Sequence, residues 1–402
     1  MLTSPNTPTV SGPYRAILKT GAIISALFLA ACDTTAATDR ASGPEIGQLI
    51  NPAEPLRVAL LVPGGNGSPD LEWLARSLKN AARMAAGDAE DVSVDLRIYD
   101  TAASAETAVA QANAAVDAGA QIILGPLFAE SANAVGNAMM PRNINVLTFS
   151  NNTQISGGNV FILGNSFDNI ADRLVGYGTR QDKRNILIVA EDDVAGQLGG
   201  RAIENAIKRK GAHLAGRVNH PVSIRGINAV APRIAQAAGL DQVDAVFMTA
   251  NTHAVLPYLT ETLAAAGVRS PGMQMMGLTR WDQPNDRLSM PQLAEGWFAI
   301  PDQSLQRQFE ARYIQAHGEA PHQLASLAHD GVAAIASLAR DGRRNALTTS
   351  GLTQRAGFSG IGGVFRLQRD GTIQRSLAVA TIRNGQLVIL DAAPRNTRGF
   401  GS

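Results

Sequence analysis

The sequence predicts an α/β protein made of two doubly wound parallel-sheet lobes, and three observations carry that expectation. Short apolar runs alternate with segments of helical spacing over most of the chain. The alternation comes in two successive series, and a different pattern, rich in hairpin signals, closes the chain. With 402 residues, the chain also exceeds what one ordinary core holds. Strands separated by helices of this length imply parallel pairing through right-handed crossovers.

The first series opens with "RVALLV" (57–62), a buried strand, then a helix over 70–86 with apolar positions at Leu71, Leu74, Leu78 and Ala82. "VSVDLRIYD" (92–100) alternates as a strand, and Ser104 stands where a cap belongs before a helix through Val109 to Val116. "AQIILG" (120–125) is another buried strand, followed by a helix near 130–140 and the strand "INVLTF" (144–149). The second series has strands at 185–190, 244–250 and 273–278, with helices at 197–210 and 253–266 ending at Gly211 and Gly267. Helical segments at 304–317 and 323–341 come next. In 363–390, Asp370-Gly371 and Asn384-Gly385 mark two hairpin turns.

The single cysteine lies upstream of all this. Arg15 and Lys19 precede the apolar run Gly21 to Ala31, which is too short for an ordinary membrane span and suits a signal peptide. The run ends Leu29-Ala30-Ala31-Cys32, the pattern of a bacterial lipobox, so 1–31 reads as a lipoprotein signal peptide and Cys32 as the acylated first residue. A plain secretory signal with a chance cysteine is the alternative. Two or more acyl chains hold a protein stably on a membrane. Residues 32–56, poor in apolar side chains, read as a lipid-anchored tether. This places the protein in the periplasm, on a membrane. Asp33 after the acylated cysteine resembles an inner-membrane retention signal.

Composition narrows the chemistry. A net charge of +1 without a basic block argues against nucleic-acid binding. "PGGNGSPD" (63–70) follows the first strand where a dinucleotide fingerprint would lie, but Asp70 occupies its third glycine position. "GFSGI" (357–361) lacks the last glycine of a nucleophile elbow. His317, His322 and His329 have no zincin spacing and read as locally bonded residues. Glu191 to Asp193 follow a strand, either as an acid site or as a solvated helix start. No nucleophile is paired with a base, and no cofactor or metal is expected.

Taken together, "RVALLVP", the stretch from Tyr99 to Asn152 and "GGVFRLQRDGTIQRSLAVATIRNGQ" resemble the type 1 periplasmic binding fold of the leucine/isoleucine/valine-binding proteins, over nearly all of 57–390. Asp100-Thr101, "GPLF" (125–128), "FSN" (149–151) and the lipobox most resemble the penicillin-binding-protein activator lipoproteins. The resemblance implies three crossings between lobes. Lobe 1 would hold 57–164 and 300–345, lobe 2 would hold 165–299 and 346–391, and 392–402 would be a C-terminal tail.

It also implies a cleft at the carboxyl ends of the strands. Its candidate residues are Asn66, Phe128, Glu130, Ser131, Ser150, Asn151 and Asn152 from lobe 1. From lobe 2 they are Asp192, Asn251, Thr279, Arg280 and Trp281, with His253 beside Asn251. In amino-acid receptors of this fold, lobe 1 holds the ligand carboxylate and lobe 2 supplies an acid for the amine. Here Ala129 replaces the expected hydroxyl, with Ser131 nearby, and Arg280 follows Thr279 where the acid is expected. The clamp is therefore lost, or altered toward an anionic or polar ligand. Ser150 to Asn152 either serve such a ligand or satisfy their own loop.

Two functions are expected from the resemblance. One is a non-catalytic regulator of a membrane-bound peptidoglycan synthase. The other is a solute receptor of an ABC permease for branched-chain or other amino acids.

Overall fold

The computed structural model describes residues 45–240, 242–251 and 255–400. The predicted signal peptide, Cys32, the first part of the tether and His253 lie outside these residues.

The first sheet is all parallel. It alternates β1 (Leu56–Val62), α1 (Pro69–Gly87), β2 (Val94–Asp100), α2 (Ala105–Asp117), β3 (Ile122–Leu124), α3 (Ala129–Met139), β4 (Val146–Thr148) and β5 (Val160–Ile162). Its strand order is β2-β1-β3-β4-β5. β1, β3 and β4 are buried at all positions but Arg57 because both faces of a doubly wound sheet are covered. Ser104 caps α2 by accepting from the Thr107 N–H at 3.3 Å.

The chain then passes through α4 (Phe167–Arg180), β6 (Asn185–Glu191), α5 (Val194–Arg209), β7 (His213–His220), α6 (Ile224–Ala238), β8 (Ala245–Met248), α7 (Val255–Ala265), β9 (Gln274–Gly277) and β10 (Trp297–Ile300). It continues through α8 (Gln303–His317), α9 (Ala325–Arg340), α10 (Thr349–Leu352), β11 (Phe365–Leu367), β12 (Ile373–Arg375), β13 (Ala378–Arg383) and β14 (Gln386–Asp391). The second sheet has the order β14-β13-β10-β9-β8-β6-β7. It is parallel from β7 to β10 and antiparallel where β13 and β14 join its edge.

Six elements escape the sequence patterns. β7 is an edge strand with exposed positions and lacks an apolar run. β5 is only three residues long, and α6 contains Pro232, which reads as a breaker. α4, capped by Ser166 accepting from the Asn169 N–H at 3.2 Å, and β10 each border a passage between the lobes, and α10 is only four residues long.

Two expected boundaries need correction. The tether does not extend to residue 56. Ile46 and Ile50 are buried in lobe 1, and Asn145 donates to the Ile46 carbonyl at 2.9 Å. Asn143 exchanges two hydrogen bonds with the Gly47 backbone, and Glu45 accepts from Thr348 and Ser350. Two isoleucines four residues apart anchor a segment that has few other large apolar side chains.

The expected passage into lobe 2 at residue 346 is also misplaced. Leu347, Leu352, Phe358, Phe365, Leu367 and Ile373 share the core of β1, β3, α1 and α9. The hairpin β11–β12 therefore packs on lobe 1, while β13–β14 joins the lobe 2 sheet. The Asp370-Gly371 turn covers the free edge of β5, with the Ile162 N–H donating to the Gly371 carbonyl at 2.8 Å. Leu377 is the first residue of this stretch in a lobe 2 core.

Candidate functional site

The turn after β3 places lobe 1 against the cleft. Gly125 has a φ of 89°, and a Cβ there would run into the Leu61 carbonyl, so only glycine fits. Thr148 donates to the Pro126 carbonyl at 2.6 Å and accepts from the Ser150 N–H at 3.1 Å. These bonds align the ends of β3 and β4 and direct Phe128, Ala129 and residues 150–153 toward lobe 2.

A cavity of about 790 Å³ lies at this junction. Its lobe 1 wall includes Leu127, Phe128, Phe149, Leu324 and Leu327, and its lobe 2 wall includes Phe167, Ile170, Leu198 and Leu278. Apolar side chains thus form most of the lining, the usual character of a small-molecule site. The crossover residues Gly164, Pro301, Arg375 and Leu377 also contribute.

Six of the twelve cleft candidates border this cavity: Phe128, Ser150, Asn151, Asn152, Thr279 and Arg280. Ser150 accepts from the Asn152 N–H at 3.1 Å, and Asn152 accepts from the Gln154 N–H at 2.9 Å. The loop thus uses part of its own polar capacity, while the Ser150 hydroxyl proton and the exposed Asn151 amide remain for a ligand. Thr279 donates to the Ala250 carbonyl at 3.0 Å.

The other six candidates lie elsewhere. Trp281 is fully buried in lobe 2, stacked with Phe298 at 6.3 Å between ring centres. Gly277 and Gly296 leave the room that its indole fills. Ser131 is 2% exposed and faces the core, because two residues along a helix turn about 200° away from Ala129. Glu130 points to solvent outside the cavity. Asn66 accepts from the Ser68 N–H within its own loop, whose Gly65, Asn66 and Gly67 N–H groups donate to Glu72. Asp192 and Asn251 are exposed beyond the cavity rim.

The charges bordering the cavity are arranged in pairs. Arg280 donates through Nε at 3.0 Å and through Nη2 to the Asp282 carboxylate, leaving Nη1 available. Asp282 is 4% exposed and is absent from the cavity wall. Arg375 pairs with Asp330 at 2.5 Å, where both side chains are excluded from water. Asp168 is the one carboxylate on the wall among the described residues. It accepts from the Thr153 hydroxyl at 3.3 Å and lies 3.6 Å from Arg209. Among the described residues, no carboxylate on the cavity wall is therefore without a partner.

Residues 191–193 divide their roles. Asp193 caps α5, accepting from the Gly196 N–H at 2.6 Å. Glu191 is 2% exposed, and burial pushes its carboxyl up to about 7, although the Asn251 N–H favours the charged form. His220, in register with it on β7, is also buried, which holds its imidazole below the ordinary value. The three histidines near the chain's helical return pack on aromatic rings: His317 on Tyr313, His322 on Trp73 and His329 on Phe309. No cluster of three metal-ligating side chains occurs among the described residues.

Sequence reasoning missed Asn165, Phe167, Asp168, Leu327 and Arg375. They lie on crossovers and helix faces, and a reading of strand ends does not reach them.

A family model described as "Periplasmic binding protein" matches residues 55–386. A search of curated proteins finds no match. Among solved structures, a branched chain amino acid ABC transporter periplasmic ligand-binding protein from Burkholderia xenovorans LB400 is similar with a TM-score of 0.69 and 14% identity. The match covers 86% of this chain and 97% of that one. An ABC transporter substrate-binding protein from Desulfitobacterium hafniense in complex with Leu gives 0.63 at 18% identity, covering 84% of this chain and all of its own. A solute binding protein from Rhodopseudomonas palustris BisB5 in complex with 3,4-dihydroxy benzoic acid gives 0.57 at 14%, covering 85% and 98%.

Proposed function

The chain belongs to the periplasmic binding protein family, and from that premise we propose that it is a non-enzymatic receptor of the periplasm. It takes a small, mostly apolar molecule with an oxygen-acceptor end and no free amine, and it serves an ABC permease. The observation that carries this reading is the cavity of about 790 Å³ between apolar walls, bordered by the remaining Arg280 N–H edge. The pairing of Arg280 with Asp282 takes up the carboxylate that follows β9. An ammonium beside Arg280 would be strongly disfavoured. Relatives of the same fold hold either leucine or an aromatic acid. The apolar walls and absent amine partner favour the second kind of molecule.

Thermal-shift measurements with phenylacetate, hexanoate and leucine test this. Stabilisation by either carboxylate and none by leucine is expected, since binding to the native state alone raises stability. A larger shift with leucine would overturn the ligand class.

A second reading keeps the fold and changes the output. The lipobox at 29–32 and the "GPLF" and "FSN" segments favour a lipid-anchored protein, acylated at Cys32, that regulates a peptidoglycan synthase. Pull-down from membranes separates the two. Recovery of a synthase without permeases supports this second reading, and recovery of permeases alone supports the first. Membrane fractionation tests the inner-membrane placement expected from Asp33.

A further inference from the structure

Three passages join the lobes: between β5 and α4, between β10 and α8, and between β12 and β13. The chain after β14 makes contacts on both sides of the same junction. On lobe 2, Arg173 donates from Nη1 to the Asp391 carboxylate at 2.9 Å and from Nη2 to the Asp391 and Ala392 carbonyls, both at 3.2 Å. Its Nε donates to the Leu377 carbonyl at 2.6 Å, so one guanidinium holds both the third passage and the exit from β14. Arg180 adds a bond to Asp391 at 2.7 Å, and Ala393 is buried in a lobe 2 core.

The chain then reaches lobe 1. Asp302, which caps α8 at the second passage, is held below the usual carboxylate range by the Ser304 hydroxyl and backbone bonds, with a contribution from Arg395. Thr397 donates to the Arg355 carbonyl at 3.4 Å. A Cβ on Gly357 would stand 2.7 Å from the Thr397 methyl, so the contact depends on that glycine. The Arg366 guanidinium lies 5.8 Å from the Phe400 ring centre. Phe358 and Phe365, which flank this receiving surface, belong to the lobe 1 core.

We infer that residues 392–400 form a fourth connection between the lobes, a strap that limits their rotation and sets how far the cleft opens. The three passages carry the backbone itself from lobe to lobe. The strap instead resists opening through side-chain contacts, which are individually weak and separable. A strap of this kind biases the open–closed equilibrium, and through it the apparent affinity of any ligand that needs the closed form.

Cys32 is the only cysteine, so spin labels can be placed freely. In the full chain carrying Cys32→Ser, labels at Asn133→Cys on α3 and Arg201→Cys on α5, both exposed, report the interlobe distance. Pulsed electron paramagnetic resonance is recorded with the tail intact, with the chain ended after Ala393, and with Thr397→Val combined with Arg366→Ala. The shortened chain is expected to give a longer and broader distance distribution. The double substitution is expected to shift it in the same direction while the far-ultraviolet spectrum is unchanged. Unchanged distributions in both variants would overturn the strap. If the shortened chain does not fold, the double substitution decides alone.

Discussion

Arg375 and Asp330 form an ion pair with both side chains sealed from water, at the place where β12 leaves lobe 1 for lobe 2. Asp330 also accepts the Ile361 and Gly362 N–H groups at 2.6 and 3.2 Å, and Arg375 lies over the Phe365 ring at 4.5 Å. Removing one partner leaves an uncompensated buried charge. Asp330→Ala is expected to cost about 3–5 kcal/mol. Joint replacement by Asp330→Leu and Arg375→Met should cost clearly less than the sum of the two single changes. Urea unfolding of the four chains measures the coupling.

Arg280 on the cleft wall makes the corresponding pair with Asp282, which is buried behind it. Asp282→Asn leaves the guanidinium without its countercharge while its shape is kept. Affinity for hexanoate should rise roughly tenfold, about 1.4 kcal/mol. Isothermal titration at low and high salt checks this, and the gain should shrink with salt.

Trp281 and Phe128 exchange the roles their positions suggest. Trp281→Ala should cost about 3–5 kcal/mol of stability, because it empties a packed core site. Phe128→Ala, at 38% exposure, should change stability by about 1 kcal/mol or less and weaken binding of phenylacetate. Thermal melts with and without phenylacetate distinguish the two effects.

Glu191 gives a pH dependence with a definite sign. Its carboxyl is raised from 4.5 to about 7 in the folded chain, chiefly by burial. Between those values the folded state binds the proton and the unfolded state does not, so stability from this group is full below about 4.5 and declines as pH rises to about 7. The full span is worth roughly 3 kcal/mol. Glu191→Gln should flatten that decline in melts recorded from pH 5 to 8.

His329 acts in the opposite direction. Burial beside Phe309 holds its imidazole below 6.5, despite Asp330 and Asp88 nearby. Below pH 6.5 the unfolded chain takes up the proton first, so this share of stability is present at higher pH and is lost on acidification. His329→Leu should lessen the fall in melting temperature between pH 7 and 5.

The sequence by itself determined the alternation of strands and helices, the two lobes and the turn at Gly125. It also determined the two closing hairpins at Asp370-Gly371 and Asn384-Gly385. These features rest on local signals: apolar runs that must be buried, glycines that adopt positive φ without strain, and caps at the starts of their helices. Only the tertiary structure decided which lobe each late segment joins. The β11–β12 hairpin covers the bare edge of β5, a requirement set 200 residues earlier in the chain. The same holds for the site. Phe128 and Ser150 to Asn152 are legible because they follow buried strands. Ser131 and Trp281 are misread because a two-residue offset along a helix, or one pair of facing glycines, reverses which way a side chain points. Arg375 and Asp168 leave no local trace, since their place on the cavity wall arises only when three separate passages of the chain meet.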